Sequence, residues 1–251
     1  MTDNLAADLR RLLQDQPAVA RLVGLDPATV HTDAEALAAA LAGLVPDLAA
    51  RAEVRLLATR VFAGDTPRQA ALDDLRAAAE RDIGTGGRAP TLLYAHGFHG
   101  LLAHRLSRAL WLEGQVPLAI AIKTLFARIL SIDIAPQAKL GQRIWLDHGH
   151  GTVIGATAEL GDDVCLWHGV TLGSNLSDRG DRRHPRVGAR VVIGAHATIL
   201  GGIEIGEDAV IAAGAVVTRP VGSGETVAGP RAAPIARRAD GFRGFARPEE
   251  S

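Results

Sequence analysis

A branched aliphatic residue returns every six positions between Ile134 and Val217, and that period constrains the fold more than any other feature of the chain. Ile134, Leu140 and Leu146 open the series; after an offset of two residues, Ile154, Leu160, Leu166 and Leu172 continue it. An irregular stretch intervenes before Val187, Ile193, Ile199, Ile205, Ile211 and Val217 resume the period. Glycine follows the aliphatic residue at 140, 154, 160, 172, 187, 193 and 205. Neither a helical period near 3.6 nor strand alternation reproduces this spacing, and a six-residue repeat is the mark of a parallel β-helix.

Each unit reads as one short flat strand plus a tight corner, with three units to a coil of about eighteen residues. The aliphatic residue points inward and stacks on its counterpart in the next coil. A second small or branched position (Ala138, Ile144, Ala158, Val164, Val170, Val191, Ala197, Ile203, Ala209 and Ala215) lies near the other end of each side. The glycines are expected at corners that need positive φ. A single unit cannot bury its apolar face, so stability comes from stacking. The unbroken period argues against an ordinary β-sandwich.

The composition shifts near residue 132, which divides the 251 residues into a helical region at 1–131, a β-helix at 132–238 and a weakly ordered tail at 239–251. The fold class is therefore α+β. Ala, Leu and Arg dominate the first region, with Leu5, Leu9, Leu12 and Leu13 on one stripe. Thr32 with Glu35 predicts a capping box opening a helix through Leu44. Thr66, Pro67 and Gln69 repeat that start signal, with proline at the first helical position of a helix running towards Ala79. A polar break from Asp82 to Arg88 precedes a helix containing Phe98, Leu101, Leu102, Arg105, Leu106 and Leu110, and another helix spans Pro117 to Leu130. His96, His99 and His104 are expected on a helix surface or interface, and His168 and His196 on coil faces.

A net charge of −1 gives no support to broad phosphate attraction, so no nucleic-acid partner is expected. No run of about eighteen apolar residues indicates a membrane span. The start, MTDNLAADLRRLL, reads as an amphipathic helix rather than a signal peptide. Cys165 is the only cysteine, so an internal disulfide is excluded and a cytoplasmic location is the default. That residue reads as an inert packing side chain within the repeat.

Between Gly173 and Pro185 the hexapeptide pattern fails, giving SNLSDRGDRRH, a polar excursion from one corner of the coil. Binding residues concentrate on loops carried by rigid scaffolds. A hydroxyl nucleophile near neutral pH needs a general base, for which a histidine oriented by a carboxylate is the usual solution. Asp147-His148 supplies such a pair, and Asp133, fifteen residues upstream of His148, can sit on the adjoining layer.

Around these residues the chain resembles the serine O-acetyltransferase family, the acetyl-CoA enzymes that open cysteine biosynthesis. The resemblance rests on SIDIAPQAKLG, WLDHGHGTVIG, VTLG and GDRRHP, and extends back through RDIG and TLLYAHGFHGLLAHRL, covering roughly residues 80 to 220. It implies a left-handed β-helix and direct acetyl transfer from acetyl-CoA to the hydroxyl of L-serine. It makes His148 the base and Asp133 the residue orienting its imidazole. Arg183 and His184 would hold the substrate carboxylate and hydroxyl, and Asp82 and Asp147 the ammonium group. Backbone groups near Ser174, Ala195 and Ala213 match positions used for the pantetheine arm of the donor. The resemblance also implies a homotrimer with sites between neighbours, and a helical region that can join two trimers into a hexamer. Family members that dock into a partner sulfhydrylase end in isoleucine, whereas this chain ends FARPEES, so no cysteine synthase complex is expected.

The chain departs from the family pattern at Ser174-Asn175-Leu176, at Ala156 and at His150. These departures leave open homoserine or another hydroxy amino acid as the acceptor, or a changed acyl group on the donor. Two rival classes remain: a zinc enzyme of the γ-carbonic anhydrase type, drawing on His148, His150, His168 and His184, and a non-catalytic scaffold. A zinc site needs matched ligand geometry and a supporting shell. The DH and RHP pairs are better explained by acyl transfer, so no metal is expected.

Overall fold

A computed structural model describes residues 4–82, 84, 86–176 and 180–230. Its first half is helical: α1 (Leu5–Asp15), α2 (Pro17–Val23), α3 (Asp33–Gly43), α4 (Leu48–Ala63), α5 (Asp65–Arg81), α6 (Arg88–Tyr94), α7 (His96–Leu112) and α8 (Val116–Leu130). The Thr32–Glu35 capping box forms as the sequence predicts. The start signal at Thr66 lies within the helix instead. Gly64 is the extended N-cap of α5, with no side-chain cap, and Pro67 falls in the first turn, where a missing N–H breaks no helical bond. The helix continues to Arg81, past the expected end at Ala79. Two other departures from the sequence reading concern α4, which opens on an Asp47 cap accepting from Ala50 N, and the imidazoles of His99 and His104, which are buried rather than superficial.

The second half is a parallel solenoid of three sheets. One contains β1 (Asp133–Ile134), β4 (Val153–Ile154), β7 (Thr171–Gly173), β10 (Thr198–Leu200) and β13 (Val216–Val217). The second contains β2 (Lys139–Leu140), β5 (Glu159–Leu160), β8 (Arg186–Val187) and β11 (Glu204–Ile205). The third contains β3 (Trp145–Asp147), β6 (Cys165–Trp167), β9 (Val192–Ile193), β12 (Val210–Ile211) and β14 (Thr226–Val227). The repeat residues pair in register: Ile154 with Leu172, Leu160 with Val187, Leu166 with Ile193. Leu160 and Val187 are 27 residues apart where Ile154 and Leu172 are 18 apart, so the 173–185 excursion leaves the corner without disturbing the ladder. Regularity extends past Val217, because Val221 and Val227 replace the lost hexapeptide positions and pair with Ile205 and Ile211.

The repeat glycines serve a different end from the one the sequence suggests. Positive φ falls on other corner residues, among them Arg143, Asp163, Gly169, Arg190, His196, Asp208 and Gly214, whereas the repeat glycines Gly161, Gly188 and Gly194 lie outside that region. Each of these three abuts the backbone of the next coil: a Cβ on Gly161 would lie 2.7 Å from Ala189 N, and one on Gly194 2.6 Å from Ala213 N. The glycines thus allow close stacking rather than left-handed backbone.

Helix α7 seats the helical half on the first coils. Cβ atoms at Gly97 and Gly100 would collide with Leu146 and Ile132. Arg105 donates to Asp74 and to the carbonyls of Leu140 and Gly141, while Asp74 also accepts from Ile144 N. Asp74 is fully buried, and burial pushes its carboxyl up while Arg105 opposes the shift. This clamp fixes α7 against the corner between β2 and β3.

Candidate active site

His148 stands on the corner between β3 and β4, in left-handed backbone at φ 56°. Two extra residues between Leu146 and Ile154 make this corner longer than its counterparts: Leu146 pairs with Leu166 twenty residues on, not eighteen. The tight corner is held by Gly151 N donating to Ser131 O and Thr152 N donating to Gly149 O. Gly149, at φ 83°, packs on Ile132, Leu146 and Gly97, where a side chain has no room.

The carboxylate of Asp147 lies beside His148, with Oδ2 3.7 Å from Nε2. Asp133, the residue expected to orient the imidazole, has Lys123 as its partner: Lys123 Nζ donates to Asp133 Oδ2 at 2.6 Å. Lys123, on α8, carried no signal in a motif-based reading, because it lies outside every motif. Around the same corner His96 stacks flat on His150, with centroids 3.8 Å apart, and His96 Nε2 bonds to Leu130 O. Burial holds His96 below its ordinary pKa. His148, His168 and His196 form an edge-to-face ladder up the solenoid, with centroid spacings of 5.8 and 5.0 Å. Among the described residues no three His, Cys, Asp or Glu side chains are grouped to hold a metal ion.

His184 is built differently. Its ring is buried against Gly155, where any Cβ would overlap it. Its Nδ1 faces the Thr157 hydroxyl at 2.8 Å, and that hydroxyl accepts from the backbone N–H groups of Arg183 and His184. With both acceptances used, the hydroxyl proton goes to Nδ1, so Nδ1 is the acceptor and the ring proton resides on Nε2. Burial, then the charge of Arg183, holds this imidazole below its ordinary pKa and therefore neutral near pH 7. Arg183 itself is exposed. Its neighbour Arg182 bonds to Glu204 and Gly202 O, tying this end of the excursion to the solenoid. Thr157 did not stand out in the sequence, and Gly155 did so only as one of the repeat glycines; the departure from the family pattern at Ala156 marked the place.

The expected residues fall into two groups on opposite edges of one sheet. His148, Ala195 and Ala213 occupy corners on one edge, those leading into β4, β10 and β13, while Ser174, Arg183 and His184 lie at the corners leaving β4 and β7. Asp147 ends β3 on the first edge, and Asp82 lies just beyond α5, its Oδ1 accepting from Gly84 N. In one chain β4 separates the two groups, and the His148 side chain is 70% exposed. Cys165 is half-buried, and burial raises its thiol pKa, which suits packing rather than nucleophilic attack.

The six-residue repeat and the helical half both have counterparts among known proteins. Residues 184–219 match the family model for bacterial transferase hexapeptide (six repeats), and residues 1–103 match that for serine acetyltransferase, N-terminal. A serine acetyltransferase of Salmonella typhimurium is 37% identical over 228 residues, covering 90% of this chain and 83% of that protein. The chain belongs to the serine acetyltransferase family. Among solved structures, Neisseria gonorrhoeae serine acetyltransferase in complex with serine superimposes with TM-score 0.81 at 33% identity, covering 92% of this chain and 95% of that one. Serine acetyltransferase from Brucella abortus in complex with coenzyme A gives TM-score 0.80 at 30% identity, covering 92% and 93%. The chain spans about half the length of two Arabidopsis thaliana relatives, 48% and 44%. Among the described residues no helix is long and apolar enough to cross a membrane. The FARPEES ending, on which the cysteine synthase expectation rests, lies outside the described residues, as does the 239–251 tail.

Proposed function

We propose that this chain transfers the acetyl group of acetyl-CoA to the side-chain hydroxyl of L-serine, giving O-acetylserine and free CoA. Support comes from the relatives' shared name and from solved relatives that hold serine in one case and coenzyme A in another. The reaction is direct. Neutral His148 accepts the hydroxyl proton as the serine oxygen attacks the thioester carbonyl. The tetrahedral intermediate then expels the CoA thiolate, which takes that proton from the imidazolium.

Arg183 and the Nε2–H of His184 form a donor pair for the substrate carboxylate, one charged and one neutral. Asp147 and Asp82 supply negative charge for the ammonium group. Asp133 orients the His148 ring. The donor's pantetheine arm runs past Ala195 and Ala213 on one edge and Ser174 on the other.

The observation that carries this reading is the placement of His148 and His184 at opposite ends of β4. Because β4 lies between them in one chain, His148 of one copy is taken to work with Arg183 and His184 of a neighbour. A cyclic trimer closes that heterologous contact on itself. The experiment is thiol release from acetyl-CoA with L-serine, homoserine and other hydroxy amino acids as acceptors. Release with L-serine at the highest kcat/KM supports the reading; no release with any acceptor defeats it. His148→Ala is expected to lose about 10²- to 10⁴-fold in turnover, and wild-type turnover in that variant contradicts the base assignment.

A further inference from the structure

We infer that Lys123 is a positioning residue of the acyl transfer, acting on His148 through Asp133. The inference rests on the reading of His148 as base with Asp133 as its orienting carboxylate.

The segment before β1 is laced to the His148 corner: Gly151 N donates to Ser131 O, Asp133 N donates to Thr152 O, and Asp133 pairs with Val153. Asp133 therefore sits beside the exit of the loop that carries the base. Its carboxylate is not committed to the imidazole. Oδ2 is taken by the Lys123 ammonium at 2.6 Å, while Oδ1 makes no hydrogen bond among the described residues. The stem of Lys123 lies along a cavity of about 10 Å³ lined also by His104, Phe126, Leu130, Ile132 and Ile134, and its side chain is 24% exposed. A lysine packed in this way holds one carboxylate oxygen in place and leaves the other to a ring nitrogen.

The ammonium has a second effect. An aspartate beside an imidazole favours the imidazolium, which cannot act as base; a cation on that aspartate offsets the field. Lys123 thus lets Asp133 orient the ring without raising its proton affinity in full. The other charged or titratable groups about this corner are Asp147, His150, His96, His168 and, in the cavity beside Lys123, His104. None of them is paired with Lys123 among the described residues.

The test is the pH profile of kcat/KM between pH 5.5 and 9 for the wild type, K123M, K123R, D133N and the K123M/D133N double variant. Activity requires the neutral ring, so it rises with pH through the His148 pKa. K123M leaves the aspartate uncompensated and moves this acid limb up by roughly half a unit to one unit. D133N moves it down, and K123R returns it towards the wild-type position. In the D133N background the K123M shift falls to less than half, because the carboxylate through which it acts is gone. A lysine that merely holds α8 on β1 would lower the melting temperature and kcat without moving the limb. An unmoved limb in folded K123M, or an equal shift with and without Asp133, overturns the inference. His148→Ala separates the two levels: wild-type turnover there removes the base reading itself, whereas an inactive His148→Ala with an unmoved K123M limb removes the lysine's role alone.

Discussion

The Thr157 hydroxyl donates to Nδ1 of His184 across 2.8 Å while accepting the backbone N–H groups of Arg183 and His184. One small side chain therefore sets the tautomer of the imidazole and the turn that presents it. The corner that leaves β4 thereby reaches across to the end of the 173–185 excursion, two segments far apart in sequence.

Thr157→Val keeps the shape and removes the hydroxyl. Two backbone donors lose their acceptor and Nδ1 keeps only the longer bond from the Thr157 backbone N–H at 3.3 Å, so the preference for the ring proton on Nε2 weakens. With a neutral hydrogen bond worth about 0.5–1.5 kcal/mol, kcat/KM for serine is expected to fall about tenfold, mostly through a higher KM. Steady-state kinetics at fixed acetyl-CoA check this; an unchanged KM contradicts the tautomer argument.

Gly155→Ala places a methyl group where the His184 ring now lies. The ring must leave its seat on β4, since the strand itself is held by Gly155 N donating to Leu172 O. The expected result is a loss in kcat/KM larger than that of Thr157→Val. Overpacking typically costs 1–3 kcal/mol of stability, so the fold should survive, which circular dichroism checks. Full activity in this variant would show that the position of His184 does not matter.

Stability should fall in acid for a reason unrelated to the active site. His99 is buried with Nε2 bonded to Leu92 O, and desolvation depresses its pKa to about 4, the hydrogen bond opposing the shift. The unfolded histidine titrates near 6.5. As pH falls the unfolded chain takes the proton first, so the stability contributed by the neutral ring is complete above 6.5 and is lost as pH falls through 4. The loss amounts to roughly 3 kcal/mol. Denaturant midpoints across that window measure it, and His99→Gln, whose amide can still donate to Leu92 O, should flatten the slope. An equal slope in the variant would assign the loss to other groups.

The solenoid was legible because its period is set by inward packing: Ile154, Leu172 and Ile199 stack in one sheet as their spacing predicts, and the offset at His148 falls where the corner lengthens. The glycine pattern was legible but its cause was not. Close approach of coils depends on which backbones meet, and residue identity alone does not reveal that. Among the candidate site residues, His148 and Arg183-His184 could be singled out in the sequence because each lies in a dense local motif. Lys123 and Thr157 could not, since each acts on a residue distant in the chain. The two-edged division of the site was equally hidden, because it depends on which corner each residue occupies and not on its type.

The most direct measurement of the shared-site account is complementation between two variants. His148→Ala and Arg183→Met chains are prepared separately and as co-expressed mixed assemblies, and thiol release with acetyl-CoA and L-serine is compared. Each variant alone should be nearly inactive. In an equal mixture, a site built from an intact His148 on one copy and an intact Arg183 on its neighbour forms at about a quarter of the positions of a cyclic assembly. Recovery to about a quarter of wild-type turnover is the predicted result. A mixture as inactive as its two parents would contradict the account, because it would confine the base and the carboxylate clamp to the same chain.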